Sequence, residues 1–315
     1  MANDKMKKFL IAGGAGFIGS RVANKLAASG YQTVVMDNLS DGKRSNLNSR
    51  VKFYLADIRN EDLMQKIFNQ EKPDIVINQA AKVYWDEKEK DQILDISVSV
   101  LGTINLLNNC VKYKVKKFIF ASTISVYGRQ SGKKSIKESE IINYNDIPAS
   151  IFSYAAAKNT AERYVYNHSK QFKLDYAILR YAHVYGSGKT KQRDVVSIFI
   201  ENIINNKPLL ITGDGKQYRD YVYIEDAVEA TLAALKFGSN GIYNIGGGAP
   251  VTVNSLIKTL KKIFKKNIKV KNIKSAEKSD GRYMNIVKAK RELRWFPKIS
   301  LEEGLKKTIQ SYLNN

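Results

Sequence analysis

Cysteine is nearly absent from this chain: Cys110 is the only one in 315 residues. A lone thiol excludes an internal disulfide framework and fits a reducing, cytoplasmic compartment. Proline numbers only 5, and no low-complexity linker or repeat is present. No apolar run approaches the roughly 18 residues of a transmembrane helix, so no membrane partner is expected. Lys5, Lys7 and Lys8 precede an apolar stretch from Phe9. Gly13, Gly14, Gly16 and Gly19 break that stretch and no small-residue cleavage pattern follows, so no signal peptide is read. With 2 histidines and a single cysteine, no metal site is expected. Acidic side chains are the other scarcity: 30 against 52 Lys and Arg, a formal charge of +22. That balance raises nucleic acid or a membrane surface as a partner.

What is present points to a globular enzyme-sized chain. Hydrophobic residues make up 43%, enough for a real core. At roughly 150 residues per domain, the length allows about two domains. Short β-rich runs at Lys8–Ala12, Tyr31–Asp37, Val51–Asp57, Asp74–Gln79, Lys116–Ser122 and Asp175–Arg180 read as strands. Between them, Phe17–Ser29, Asn60–Gln70, Gln92–Lys112 and Ser153–Phe172 have helical spacing. This alternation predicts an α/β fold, a Rossmann-type doubly wound parallel sheet covered on both faces. Beyond residue 180 the pieces shorten around Gly and Pro turns. The expected division is residues 1–180 as a dinucleotide-binding domain. Residues 181–315 form mainly a smaller, interleaved substrate-binding lobe, with some segments returning to the first domain.

Gly13, Gly14, Gly16 and Gly19 stand between the first strand and the first helix. Glycines there let the backbone turn sharply and approach a pyrophosphate, and the helix N-terminus offers free N–H groups. Asp37 ends the second strand, where a carboxylate accepts from a ribose 2′-hydroxyl and repels a 2′-phosphate. The cofactor expected is therefore NAD over NADP. Asp57 ends the third strand, either facing the adenine or as an ordinary strand-end carboxylate.

Tyr154 and Lys158 lie one helical turn apart on one face. A nearby cation lowers a phenol's pKa, which suits proton exchange with a substrate hydroxyl or carbonyl. Spacing alone does not single them out. The same interval separates Tyr84 from Lys88, Tyr113 from Lys117, Tyr166 from Lys170 and Tyr185 from Lys189. Context selects Tyr154: it opens the helix after the fifth strand's long loop, which begins with the hydroxyls of Ser122, Thr123 and Ser125. That is the ligand-binding end of a parallel sheet.

These motifs resemble the extended short-chain dehydrogenase/reductase family, in particular nucleotide-sugar epimerases of the UDP-glucose 4-epimerase type. Matching segments include the Gly13–Gly19 loop, Asp37 to Ser40, Thr123 to Gly128, Gly213 to Asp226, Tyr243 to Gly248 and Trp295 to Gly304. The resemblance implies a catalytic set of Thr123, Tyr154 and Lys158. It places Gly13, Gly16, Phe17, Ile18 and Gly19 at the cofactor's pyrophosphate, Asp37 and Asn38 at its ribose, and Asp57 and Ile58 around its adenine. Gln79, Ala80, Ala81 and Ser99 take cofactor-side positions in two further motifs, where the family often has Leu-Ala-Ala and Asn. Arg219 matches the arginine that grips a sugar nucleotide's diphosphate. A second such arginine has two candidates, Arg282 and Lys274. His183 replaces a frequent Asn, either to bond the substrate or nicotinamide side or as a tolerated change.

Related 4,6-dehydratases carry Asp-Glu after the loop threonine, and decarboxylases keep the Glu. Here these positions hold Ile124 and Ser125, neither of which is a general acid. The expected reaction is therefore NAD-dependent epimerisation of a nucleotide sugar at C4, UDP-sugars favoured. Alternatives are a reductase or dehydrogenase of a nucleotide-linked keto sugar, then a dehydratase, then a non-catalytic NAD- or RNA-binding protein. The resemblance also implies a homodimer through the helices Gln92–Lys112 and Ser153–Phe172. Leu301–Leu313 reads as a closing helix, with Ser300 as N-cap and Glu303 in the capping-box position. The lysines at 258, 261, 262 and 265 occupy the polar face of an amphipathic helix and lack interleaved aromatics. Lys exceeds Arg 40 to 12 and Asn is plentiful, which reads as codon bias in an AT-rich genome. A nucleic-acid partner is not expected.

Overall fold

The computed structural model describes residues 7–82, 91–128, 135–140, 147, 151–188, 194–274 and 281–314. Lys5, Tyr84, Lys88 and Lys189 lie outside them.

Seven strands form one parallel sheet: β1 (Lys8–Ala12), β2 (Gln32–Asp37), β3 (Lys52–Leu55), β4 (Ile75–Asn78), β5 (Lys117–Thr123), β6 (Asp175–Tyr181) and β11 (Gly241–Ile245). Their order across the sheet is β3-β2-β1-β4-β5-β6-β11. The chain winds outward from β1 to β3, then returns to β4 on the other side. The strand order therefore reverses between β1 and β4, which opens a crevice at their carboxyl ends. The four central strands are almost wholly buried, as a sheet covered on both faces requires. The last strand comes from the far part of the chain and pairs with β6, Tyr243 opposite Leu179.

Two apolar cores lie on the two faces. One packs α1 (Phe17–Ala28) and α7 (Ile224–Phe237) against the sheet through Val22, Leu26, Ala227 and Ala230. The other packs α2 (Glu61–Glu71), α4 (Gly102–Lys112) and α5 (Phe152–Phe172) through Phe68, Leu106 and Val165. Phe68 is fully buried, a burial that contributes about 1.5–3 kcal/mol. Asn60 starts α2 by accepting the Leu63 N–H at 3.0 Å, and Glu61 and Asp62 favour its positive end. Gly30, at φ +87°, ends the turn after α1.

The stretch expected as one helix at Gln92–Lys112 is three pieces: α3 (Gln92–Ile96), a π turn (Ser97–Leu101) and α4. By length and composition alone it could cross a membrane, but half of it is buried inside this fold. It packs on α5. The remaining pieces are short: β7 (His183–Tyr185), α6 (Val195–Ile204), β8 (Leu209–Thr212), β9 (Tyr218–Arg219), β10 (Tyr221–Tyr223), β12 (Val251–Thr252), α8 (Val253–Phe264), β13 (Val270–Ile273), α9 (Val287–Glu292) and α10 (Leu301–Leu313). They pair as β7 with β10, β9 with β12 and β8 with β13. Ser300 caps α10 by accepting the Glu303 N–H at 3.2 Å. The carboxylate of Glu303 faces Lys307 at 3.6 Å, so the return half of the capping box is replaced by an ion pair along the helix.

Candidate active site

A cleft of about 980 Å³ runs along the carboxyl ends of the central strands. One end is the glycine turn. Gly13 sits at φ +70°, and a Cβ there would come within 2.6 Å of the Ala80 nitrogen. A Cβ on Gly19 would meet the Gly13 carbonyl at 2.3 Å. Glycine is therefore obligatory at both positions. No side chain caps α1 and its first turn holds no acidic residue. The positive end of that helix is directed at the cleft without internal compensation, the arrangement that receives a phosphate.

Asp37 braces this turn. It accepts the Ala15 N–H at 2.9 Å and the Leu39 N–H at 2.8 Å. Burial raises its pKa, and the two N–H bonds oppose that rise. Each carboxylate oxygen retains acceptor capacity for a ribose hydroxyl. Asp57 is arranged differently. Arg59 donates to it from Nε at 2.9 Å, Nη2 at 2.7 Å and the backbone at 2.9 Å, and Asn38 adds a bond at 2.8 Å. The Arg59 bonds hold Asp57 down to about 2. Four donors match the roughly four acceptor sites of a carboxylate. An adenine amine could reach Asp57 only by displacing one of them. Arg59 escaped the sequence reading, although its place two residues after Asp57 is the signal.

At the middle of the cleft, Thr123 ends β5 and Tyr154 and Lys158 rise from α5. Thr123 Oγ1 accepts the Ser125 N–H at 3.1 Å, starting the short turn Ile124–Tyr127, and lines the cleft with Tyr154. Lys158 is 1% exposed. Its Nζ donates to the Ala121 carbonyl at 2.8 Å and the Ala80 carbonyl at 3.5 Å, and lies 4.7 Å from the Phe120 ring centre. Burial lowers it to about 8, against the opposing pull of Glu162 and Asp95.

The expected acid Tyr154 is not what this arrangement produces. Burial and the carboxylate of Asp95 push its hydroxyl up to about 12, and the neighbouring Thr123 hydroxyl only partly counters them. Burial is the larger cause; in addition α3 brings Asp95 beside α5, while Lys158 is turned toward two backbone carbonyls. Asp95 itself is 5% exposed and its Oδ1 has no hydrogen-bond partner.

The other end is lined by His183, Tyr221, Arg219, Gln217 and Arg282. Arg219 donates to the Tyr218 carbonyl at 2.8 Å and forms no ion pair among the described residues. The nearby carboxylates of the same segment are engaged elsewhere, Asp220 with backbone N–H groups and Glu225 with Lys307. Arg282 is buried and donates to the Gly128 carbonyl at 3.0 Å. Lys274 is exposed and outside the lining. His183 stacks obliquely on Tyr221, ring centres 5.9 Å apart.

Apart from the alternative candidate Lys274, every residue expected at the site lines the cleft except Ser99. Ser99 is 1% exposed within the π turn, its Oγ lacks a partner, and its short side chain stops short of the cavity wall. Ile58, Gln79 and Ala81 line the cofactor end alongside Gly16, Phe17 and Ile18.

Fold and cleft together define a Rossmann-type enzyme with a dinucleotide site, and Thr123, Tyr154 and Lys158 line the middle of its cleft. Residues 9–246 match the family described as NAD dependent epimerase/dehydratase, and the chain belongs to that family. It is 35% identical over 319 residues to the UDP-glucuronate 4-epimerase of Thermodesulfobacterium geofontis, covering 96% of this chain and 95% of that one. Among solved structures, the UDP-glucose 4-epimerase with UDP-glucose from Thermotoga maritima superposes at a TM-score of 0.86 with 38% identity, over 98% of this chain and 99% of that one. The Thermus thermophilus UDP-glucose 4-epimerase complex with NAD does so at 0.86 with 31% identity, over 97% and 99%.

Proposed function

We propose that this protein is an NAD-dependent nucleotide-sugar 4-epimerase acting on UDP-glucose and UDP-galactose or their N-acetyl forms. The observation that carries this reading is that Thr123, Tyr154 and Lys158 line one stretch of the cleft, flanked by Ile124 and Ser125 rather than by an Asp-Glu pair. Proton transfer at C4 then has one agent, and chemistry at C5 and C6 has none. The uncapped helix end and Asp37 fit a dinucleotide, and bound NAD supplies a hydride acceptor at C4 and a positive ring that favours a nearby phenolate.

Tyr154 takes the proton from the C4 hydroxyl and returns it at the end of the cycle. Thr123 holds the C4 oxygen and the phenol in line. Lys158 keeps one N–H free of its two carbonyl partners to bond a cofactor ribose. Arg219 and Arg282 grip the diphosphate while the 4-keto sugar turns over and receives hydride on its opposite face. His183 lies beside the sugar, Asn38 at the ribose, and Asp57 acts by orienting Asn38.

Residues 1–180 serve the cofactor and 181–315 mainly the sugar nucleotide. The protein works in the cytoplasm, in keeping with its single, buried cysteine. It pairs as a homodimer through α3, the π turn and α5, where Ile93, Leu101 and Phe152 are 78%, 58% and 44% exposed. Such apolar exposure on adjoining elements supports this reading. Sedimentation showing only a 35.6 kDa species would overturn the dimer.

Incubation with UDP-glucose, UDP-galactose and their N-acetyl forms tests the activity. Interconversion at C4 without net NADH consumption is expected. Stoichiometric NADH consumption would instead identify a reductase, and no C4 interconversion of any nucleotide sugar would sink the proposal.

A further inference from the structure

The sugar-nucleotide end of the cleft is assembled from segments far apart in sequence. Arg219 ends β9, and Arg282 lies in the extended segment before α9. What joins these segments is Asp220. Its side chain is fully buried, and its carboxylate accepts the Gly247 N–H at 2.6 Å and the Met284 N–H at 2.9 Å. Its own carbonyl accepts the His183 N–H at 3.0 Å.

The packing around this residue leaves no slack. A Cβ on Gly246 would meet Asp220 Oδ2 at 2.5 Å. Tyr218 bridges Gly281 so closely that a Cβ there would lie 2.0 Å from the Tyr218 carbonyl. Asp220 has no cation partner among the described residues. A buried carboxylate held only by N–H groups is a costly feature, and burial raises its pKa to about 7. Asparagine would carry no charge, but it accepts through one oxygen only, and its amide would face the second N–H donor to donor.

We propose that Asp220 is a positioning residue that fixes the distance between Arg219 and Arg282, so that both arginines reach one nucleoside diphosphate. The inference rests on the reading of those arginines as diphosphate ligands. Arg219 adjoins Asp220 in the chain, and Arg282 lies two residues before Met284. Losing either carboxylate bond lets one arginine drift from the other.

Calorimetry with UDP and UMP, together with steady-state kinetics on UDP-glucose, tests this in the full-length protein. Asp220→Asn is expected to raise KM and the Kd for UDP about tenfold or more, the effect of roughly one lost buried hydrogen bond to a charged group. UMP affinity, bound NAD and kcat should each change less than about threefold, so the UDP-to-UMP preference collapses. If Asp220→Asn lowers the yield of folded protein, Gly246→Ala decides, because its Cβ displaces the carboxylate while leaving it in place chemically. An unchanged UDP-to-UMP preference in the folded variant overturns the proposal. Arg219→Ala separates the two levels. If it leaves UDP affinity intact, the diphosphate reading itself fails. If it weakens UDP while Asp220→Asn does not, only the positioning role fails.

Discussion

Glu162→Gln should damage stability and catalysis together. Glu162 sits on α5 one turn beyond Lys158 and is 3% exposed. Its carboxylate takes a two-pronged bond from Arg180, from Nε at 2.9 Å and Nη2 at 2.6 Å, and a further bond from the Ser122 hydroxyl. Arg180 is 4% exposed. Burial alone would lower its pKa, and the Glu162 bonds more than reverse that. It also donates to the Tyr127 hydroxyl at 2.7 Å, which in turn bonds Asn244 at 2.8 Å. The ion pair thus ties α5 and β5 to β6 and β11. Glutamine removes the charge and turns an N–H toward one of the guanidinium prongs. Stranding one partner of a buried pair costs about 3–5 kcal/mol. At about 2–4 °C per kcal/mol for a large domain, Tm should fall by roughly 10 °C.

The same change reaches Lys158, whose pKa Glu162 helps hold up at about 8. The ammonium is present below that value and lost as pH rises through it. The alkaline limb of kcat/KM should therefore lie near pH 8 in the native enzyme and move to lower pH in Glu162→Gln. Urea unfolding followed by tryptophan fluorescence, and a pH–rate profile on UDP-glucose, measure both effects. Adding Arg180→Met removes the stranded charge and should recover at least about 1 kcal/mol. A single-variant loss below about 1 kcal/mol, or a double variant equal to the sum of its parts, would refute the account.

Three further outcomes follow from the geometry. Tyr154→Phe should lower turnover at least about a hundredfold, the usual share of a general acid–base group, while NAD extracted from the purified protein stays at the native amount. Gly13→Ala should abolish cofactor retention and destabilise the fold. Its Cβ would strike the Ala80 backbone at 2.6 Å, and φ +70° disfavours any side chain by about 1–2 kcal/mol. Bound NAD and melting temperature measure it. Cys110 is fully buried and burial raises its thiol well above the ordinary range. Native protein should be inert to a disulfide reagent at pH 8 and react only at the rate at which α4 opens.

The parts of the site legible in the sequence are those fixed by short stretches of chain. The glycine turn, Asp37 at the end of β2 and Tyr154–Lys158 at the start of α5 each follow from local backbone needs and strand order. The parts that were not legible depend on which strand lies beside which. Glu162 and Arg180 are 18 positions apart and meet only because β5 and β6 run parallel with Ser122 opposite Arg180. The high pKa of Tyr154 is hidden for the same reason, since it comes first from burial in the folded cleft and then from Asp95 delivered by another helix. The π turn that withdraws Ser99 has no local signature at all.

Charge shows the same division between composition and placement. The excess of +22 is a property of the whole chain. Inside the cleft the balance is much closer: Arg59, Lys82, Lys158, Arg219 and Arg282 face Asp37, Asp41, Asp57 and Asp194. Arg59 is matched by Asp57 and Lys82 by Asp41, both within hydrogen-bond distance. Of the other three, Lys158 beside Tyr154 and Arg282 donate to backbone carbonyls, and Arg219 at the far end forms no ion pair among the described residues. A general positive potential would attract any polyanion. Cations at the two ends, with Arg59 and Lys82 matched by their carboxylates, favour an anion whose charge sits a fixed distance from a hydroxyl to be oxidised. A sugar joined to a diphosphate has that shape.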